Sequence, residues 1–220
     1  MKKIAILGTG GNCTDILDTL LDINDKHGDS IYECVGFFDD NPQKWGQSFY
    51  NVKVLGPLEK AGELKDCFFV FGIGSVLNFW KRRDILLNTG IKEDRFETVI
   101  HPTASISRMA VLGKGAVIFQ NVTITSNAVI GRHVYILPNS IISHDAMIGD
   151  FSCIAGGVAI SGNVHIGEGC YIGTHSAIRD GITVGDHCLV GMGSIVLKTI
   201  PENTVVIGNP ARLYRRTMPG

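Results

Sequence analysis

The sequence predicts two units of different architecture: a small Rossmann-like α/β domain over residues 1–100, then a parallel β-helix of hexapeptide repeats with a C-terminal cap over residues 101–220. Three observations carry that expectation. An aliphatic residue recurs at every sixth position from Ile106 to Val196. Strand-like apolar runs alternate with helical patterns only before residue 100. A glycine-rich turn, Gly8-Thr-Gly-Gly-Asn12, joins the first such run to the first helix.

Composition sets the outer bounds. The 220 residues, 45% hydrophobic, can fill one large core or two small ones. Lys+Arg 20 against Asp+Glu 21 leaves a net charge of −1, without the basic surplus that nucleic acid binding calls for. No run approaches the ~20 apolar residues of a membrane span. The opening MKKIAILGTGGN breaks into glycines too soon for a signal peptide, so a cytoplasmic location is expected. Six cysteines without a C-x-x-C pair read as reduced, small buried residues, with neither disulfides nor a zinc site.

In chain order, Lys3–Leu7 reads as a strand, and Ile16, Leu17, Leu20 and Leu21 mark a helix over Asp15–Ile23. A second strand, Cys34–Phe38, ends in Asp39-Asp40, and a third, Cys67–Phe71, runs into Gly72-Ile-Gly74. A helix over Asn78–Asn88 carries Lys81-Arg82-Arg83. Such alternation implies a parallel sheet with a ligand crevice at the carboxyl ends of its strands. The glycine turn is a partial dinucleotide fingerprint, because Cys13 stands where G-x-G-x-x-G needs its third glycine. Asp39-Asp40 could accept hydrogen bonds from a ribose or a base edge; a tight turn with solvated carboxylates is the competing reading.

The repeat has a second beat. Two residues before each aliphatic the residue is small or apolar, from Ala104, Ala110 and Ala116 to Cys188 and Ser194. Period two locally and six globally describes short strands separated by turns, three to an 18-residue coil, with coils ~4.8 Å apart. Glycine follows the aliphatic at Gly113, Gly131, Gly149, Gly167, Gly173, Gly185 and Gly191, where a corner needs positive φ or has no room for a side chain. Cys170 and Cys188, one coil apart, should stack inside the prism. The unbroken register leaves no long loop, so a site must lie on the prism surface or between subunits.

Ser143-His144-Asp145 falls at a corner. A carboxylate beside an imidazole can hold its tautomer and make it a general base; a solvated surface histidine is the competing reading. His133, His175 and His187 share a repeat phase, but separations of 42 and 12 residues are not whole coils, so three imidazoles do not converge on a metal.

The repeat, the glycine turn, Phe37-Phe-Asp-Asp40, the stretch Asn139–Asp150 and the closing Val205–Arg212 together resemble the NeuD/PglD-like sugar acetyltransferases, which include UDP-4-amino-sugar N-acetyltransferases and sialic acid O-acetyltransferases. The likeness covers nearly the whole chain. It implies left-handed winding and a homotrimer with active sites between subunits, acetyl-CoA as co-substrate and no metal. The resemblance makes His144 and Asp145 the catalytic pair, and places Gly10, Gly11, Asn12, Asp39, Asp40 and Gly74 on the nucleotide-linked sugar. It sets Cys153, Gly162, Thr174 and Met192 along the coenzyme groove, the Gly162 N–H serving the thioester oxyanion. Relatives often have histidine where Asn12 and Cys153 stand. The expected reaction is direct N-acetylation of a nucleotide-linked amino sugar. O-acetylation of sialic acid or another sugar hydroxyl is the alternative, and a nucleotide-binding scaffold is the non-enzymatic one. Arg212, Arg215 and Arg216 read either as a solvated tail or as contacts to the coenzyme's phosphates.

Overall fold

The computed structural model describes residues 1–28 and 30–217. The apolar run at the start forms β1 (Lys2–Leu7), central in a sheet of order β3-β4-β2-β1-β5, where β2 is Tyr32–Phe38, β3 Ser48–Phe49, β4 Val52–Gly56 and β5 Phe68–Phe71. Only the β3–β4 hairpin is antiparallel. Its strands escaped the sequence reading, since two and five residues are too short to show a period.

Helix α1 (Gly11–His27) extends four residues beyond the predicted stripe at each end and buries Cys13, Ile16, Leu17, Leu20 and Ile23. It stops at Gly28, whose φ of 69° lets its N–H turn back to Asn24 O. Helix α2 (Arg82–Leu87) is shorter than the Asn78–Asn88 pattern suggested, because Phe79–Lys81 form a tighter 3-10 turn.

From Val99 onward each hexapeptide supplies a two-residue strand, and the strands stack into three faces of a left-handed β-helix. The first face runs Val99–Ile100, Val117–Ile118, Tyr135–Ile136, Cys153–Ile154, Tyr171–Ile172 and Leu189–Val190. It is closed by Thr204–Ile207, with Arg212–Arg216 antiparallel beyond. The second face holds Thr123–Ile124, Ile141–Ile142, Ala159–Ile160 and Ala177–Ile178, and the third Val129–Ile130, Met147–Ile148 and His165–Ile166. Coils begin at Val99–Ile100, one hexapeptide before Ile106. Every repeat aliphatic from Ile118 to Val196 is buried; Ile106 and Leu112, with no coil beneath them, are half-buried. Cys170 and Cys188 lie in this interior, their thiols donating to Gly185 O at 3.1 Å and Pro201 O at 3.0 Å.

Left-handed backbone falls three residues after the aliphatic: Asn121, Asn127, His133, Asn139, Asp145, Phe151, Asn163, His175 and His187 all have φ near +60°. The glycine directly after the aliphatic serves a different need. A Cβ at Gly113 would sit 2.5 Å from Arg132 N, and one at Gly149 2.5 Å from Gly167 C, so the corner is too close to the next coil for a side chain. The shared phase of His133, His175 and His187 is therefore a backbone demand, met by residues that tolerate positive φ. Each ring packs on the glycine one coil below, Gly115, Gly157 or Gly169.

The α/β domain covers the first face. Val117, Tyr135, Cys153, Tyr171 and Leu189 point outward there and join Ile16, Leu20 and Phe79 in one apolar cluster. Polar pins surround it. His101 Nε2 meets Asp22 at 2.8 Å, and His133 Nε2 meets Glu93 at 3.1 Å, its ring stacked 5.0 Å from Phe151. Burial pushes the His133 imidazole down against the upward pull of Glu93. A base depressed in the fold contributes stability above its ordinary value of ~6.5 and loses it as pH falls below. Melting scans from pH 7.5 to 5 should show Tm falling, and His133→Asn, which suits the left-handed slot, should flatten that fall; an unchanged slope would assign it elsewhere.

Candidate active site

The carboxyl ends of β1, β2 and β5 open into a cleft of about 620 Å³, and Gly10, Gly11, Asn12, Asp39, Asp40 and Gly74 all line it. Close packing explains the altered glycine fingerprint. Gly8, at φ +107°, would place a Cβ 2.8 Å from Cys13 Sγ, and Gly72 would place one 2.6 Å from the same sulfur. Helix α1 thus approaches the sheet because glycines stand on the strand side, which lets a small cysteine occupy the third-glycine position. Gly10 caps α1 without a side-chain bond, the first turn holds no acid, and a Cβ on Gly10 or Gly11 would meet open space. Free N–H groups and the positive end of the helix dipole suit an anion here.

The two aspartates differ. Burial raises the Asp39 carboxyl, but hydrogen bonds from Thr9, the Asn41 N–H and Lys44 outweigh it and hold the group below its usual range. Those partners occupy both of its oxygens, so Asp39 braces the strand end. Asp40 accepts the Leu58 N–H at 2.9 Å through Oδ1 and lies exposed at the cleft. Asn12 reaches Gly74 O at 3.5 Å, and Tyr135 Oη donates to the same carbonyl at 2.8 Å. Thr9, Ser75, Asn78 and Tyr171 complete the wall and were not anticipated. A signal for Tyr171 existed: the outward residues of its face, Val117, Tyr135, Cys153, Tyr171 and Leu189, are persistently apolar or aromatic.

His144 sits at the corner between the second and third faces, its side chain 58% exposed. Nδ1 meets Asp145 Oδ2 at 2.8 Å, and Asn127, one coil below, donates to Asp145 Oδ1 at 3.0 Å. Those bonds, His144 first, lower the Asp145 carboxyl. An Nδ1–H held by a carboxylate leaves Nε2 with a free lone pair. Gly162 lies one coil above, buried, and a Cβ on it would fall 2.6 Å from the His144 ring.

Thr174 and Met192 occupy the next corner, between the first and second faces, with Met192 78% exposed. The second face joins the two corners, and its outward positions include the small Ala159 and Ala177. Cys153, expected along the coenzyme groove, is fully buried in this chain, on the first face under the α/β domain. Its neighbours there are Tyr135 and Tyr171, behind the cleft. Arg212, Arg215 and Arg216 are exposed on the last strand. Among the described residues no group of three His, Cys, Asp or Glu is placed to hold a metal, and no helix is long and apolar enough to cross a membrane.

The corner carrying His144 is opposite the covered first face, so the cleft and His144 of one chain lie on different sides of the prism.

Comparisons with known proteins extend this picture. Residues 127–162 and 163–198 each match the bacterial transferase hexapeptide (six repeats) family, and residues 3–86 match the PglD N-terminal domain. The UDP-N-acetylbacillosamine N-acetyltransferase of Bacillus subtilis (strain 168) is 31% identical over 124 residues, 54% of this chain and 51% of that protein. The chain therefore spans about half the length of that curated relative. The acetyltransferase domain of PglB from Neisseria gonorrhoeae FA1090, solved with acetyl coenzyme A, superposes with a TM-score of 0.83 at 27% identity, covering 97% of this chain and 99% of that one. PerB from Caulobacter crescentus, solved with CoA and GDP-perosamine, gives the same TM-score at 23% identity and 97% coverage of both chains, which speaks for the fold. With both its parts matched in this order, the chain resembles the PglD-like sugar acetyltransferases built on bacterial transferase hexapeptide repeats.

Proposed function

We propose that the chain is an acetyl-CoA-dependent N-acetyltransferase that acetylates the amino group of a nucleotide-linked amino sugar, with His144 as general base. The observation that carries this is the His144–Asp145 pair with Nε2 free, set against a glycine that leaves room for its ring. The cleft holds the nucleotide through Gly10, Gly11, Asn12, Asp40 and Gly74, with Asp39 bracing the strand end beside them, and the coenzyme runs over the second face past Gly162, Thr174 and Met192. The acceptor nitrogen attacks the thioester carbon and gives its proton to His144 Nε2. The carbonyl oxygen becomes an oxyanion that the Gly162 N–H stabilises. The C–S bond then breaks, and the proton leaves with the CoA sulfur. Transfer is direct, since burial pushes every thiol up, to about 12 at Cys13 and Cys34 and about 11 at Cys188, leaving no thiolate to carry an acyl group.

Thiol release from acetyl-CoA with UDP-, GDP- and dTDP-linked amino sugars tests the activity. A base-stable acetyl product is expected; a base-labile one would reassign the acceptor to a hydroxyl, and no release with any of them would sink the reading.

Because His144 and the cleft of one chain lie on different sides of the prism, the working site joins two chains of a homotrimer. Co-expressing two inactive variants, His144→Ala and Gly11→Trp, should restore activity to about a quarter of sites, those pairing an intact histidine from one variant with an intact cleft from the other. A site within one chain would give no recovery.

A further inference from the structure

We infer that Arg82 selects a diphosphate-bearing ligand for the cleft, acting as a buried, uncompensated cation behind its wall; the inference rests on the cleft taking a nucleotide-linked sugar. The cleft's own charges point the wrong way for such a ligand. Asp39 and Asp40 line it, and none of the lining side chains is Lys, Arg or His. Lys44, nearby, is spent on Thr9 and Asp39. The N-terminus of α1 offers roughly half a positive charge, against about two negative charges on a diphosphate.

Arg82 has no exposed surface. Its Nε donates to Ile73 O at 2.7 Å and Nη1 to Phe151 O at 2.6 Å, while Nη2 finds no acceptor. The guanidinium faces the rings of Tyr135 at 4.6 Å and Phe71 at 5.1 Å. Among the described residues it joins no ion pair. Burying a charge without a counter-charge is costly. The carbonyl contacts tie the domains together without calling for a full charge, and the two ring faces offset that charge only in part. The cleft, which Gly74 lines, is an adjacent place for a counter-charge. A Cβ on Gly74, which lines the cleft, would lie 2.9 Å from Arg82 Nε, so one residue without a side chain separates the cation from the ligand space. Coulombic influence of Arg82 also reaches Cys13, on the first turn of α1 in the same wall. Through such a dry layer the field is weakly damped.

The test is calorimetric binding of UDP, GDP and dTDP and of uridine, guanosine and thymidine to the full chain, carrying the tightest pair through the variants. Arg82→Gln, whose side-chain amide can still donate to Ile73 O from about the place of Nε, should lower the diphosphate-to-nucleoside affinity ratio about tenfold or more while nucleoside affinity holds. Arg82→Lys, which keeps the charge, should hold the ratio within about threefold. Equal weakening of both ligands in Arg82→Gln, or an unchanged ratio, overturns the inference and leaves the nucleotide reading standing. Failure of the unmutated protein to bind any nucleotide overturns that reading and the inference with it. Should Arg82→Gln not fold, ³¹P NMR of the matching monophosphate bound to unmutated protein decides. Its second ionisation, near 6 when free, should fall on binding, and an unchanged or raised value overturns the role of Arg82.

Discussion

Replacing His144 with alanine is expected to lower kcat by about 10²–10⁴-fold, the usual contribution of a positioned general base, with KM for acetyl-CoA little changed. The side chain is 58% exposed and supports no core contact, so Tm should hold within a degree or two. The arrangement around it explains the size of the loss. Asp145 stands in the left-handed slot of the corner, φ 58°, which turns its carboxylate back onto the preceding imidazole. Asn127 fixes the carboxylate from the coil below. Asp145→Asn should therefore cost about one to two orders of magnitude, because an amide can offer its N–H to Nδ1 and favour the wrong tautomer. Steady-state kinetics on both variants, with melting curves beside them, check these values. Near-normal turnover in His144→Ala would remove the histidine from the chemistry.

What the sequence disclosed and what it hid follow from the range of the interactions. The six-residue register was plain because each inward position makes the same apolar demand, and Ile118 to Val196 meet it without a break. Asp39, Asp40 and Gly74 could be placed at one crevice because strand ends in a parallel sheet converge there. The corner glycines were half legible: both positive φ and lack of room were on offer, and only the neighbouring coil's backbone, 2.5 Å from a Cβ at Gly149, shows that room decides. Cys153 and Arg82 could not be read from local pattern. Cys153 sits at an outward repeat position that would be exposed if nothing covered the first face, and Arg82 sits in a basic run that would normally be solvated. Both are buried because one domain lies on the other, a long-range fact with only a faint trace in the aromatic outward residues Tyr135 and Tyr171.

A single methyl group at Gly162 should separate catalysis from stability. The added Cβ would lie 2.6 Å from the His144 Cε1 and 2.7 Å from Nε2, too close to coexist with the ring where it stands. The ring can swing into solvent, so Gly162→Ala should cost less than about 1 kcal/mol of stability. To swing, however, it must leave Asp145, and the lost orientation should lower kcat by about tenfold to a hundredfold. Gly149→Ala makes the opposite case from the same kind of residue. Its Cβ would meet Gly167 C at 2.5 Å and Glu168 N at 2.6 Å, backbone that cannot yield without opening the coil, so a loss of about 1–3 kcal/mol is expected, with kcat kept in the folded fraction. Paired melting curves and kinetics decide it. If Gly162→Ala kept full turnover, the imidazole would not need the place it occupies, and the general-base assignment would lose its geometric support.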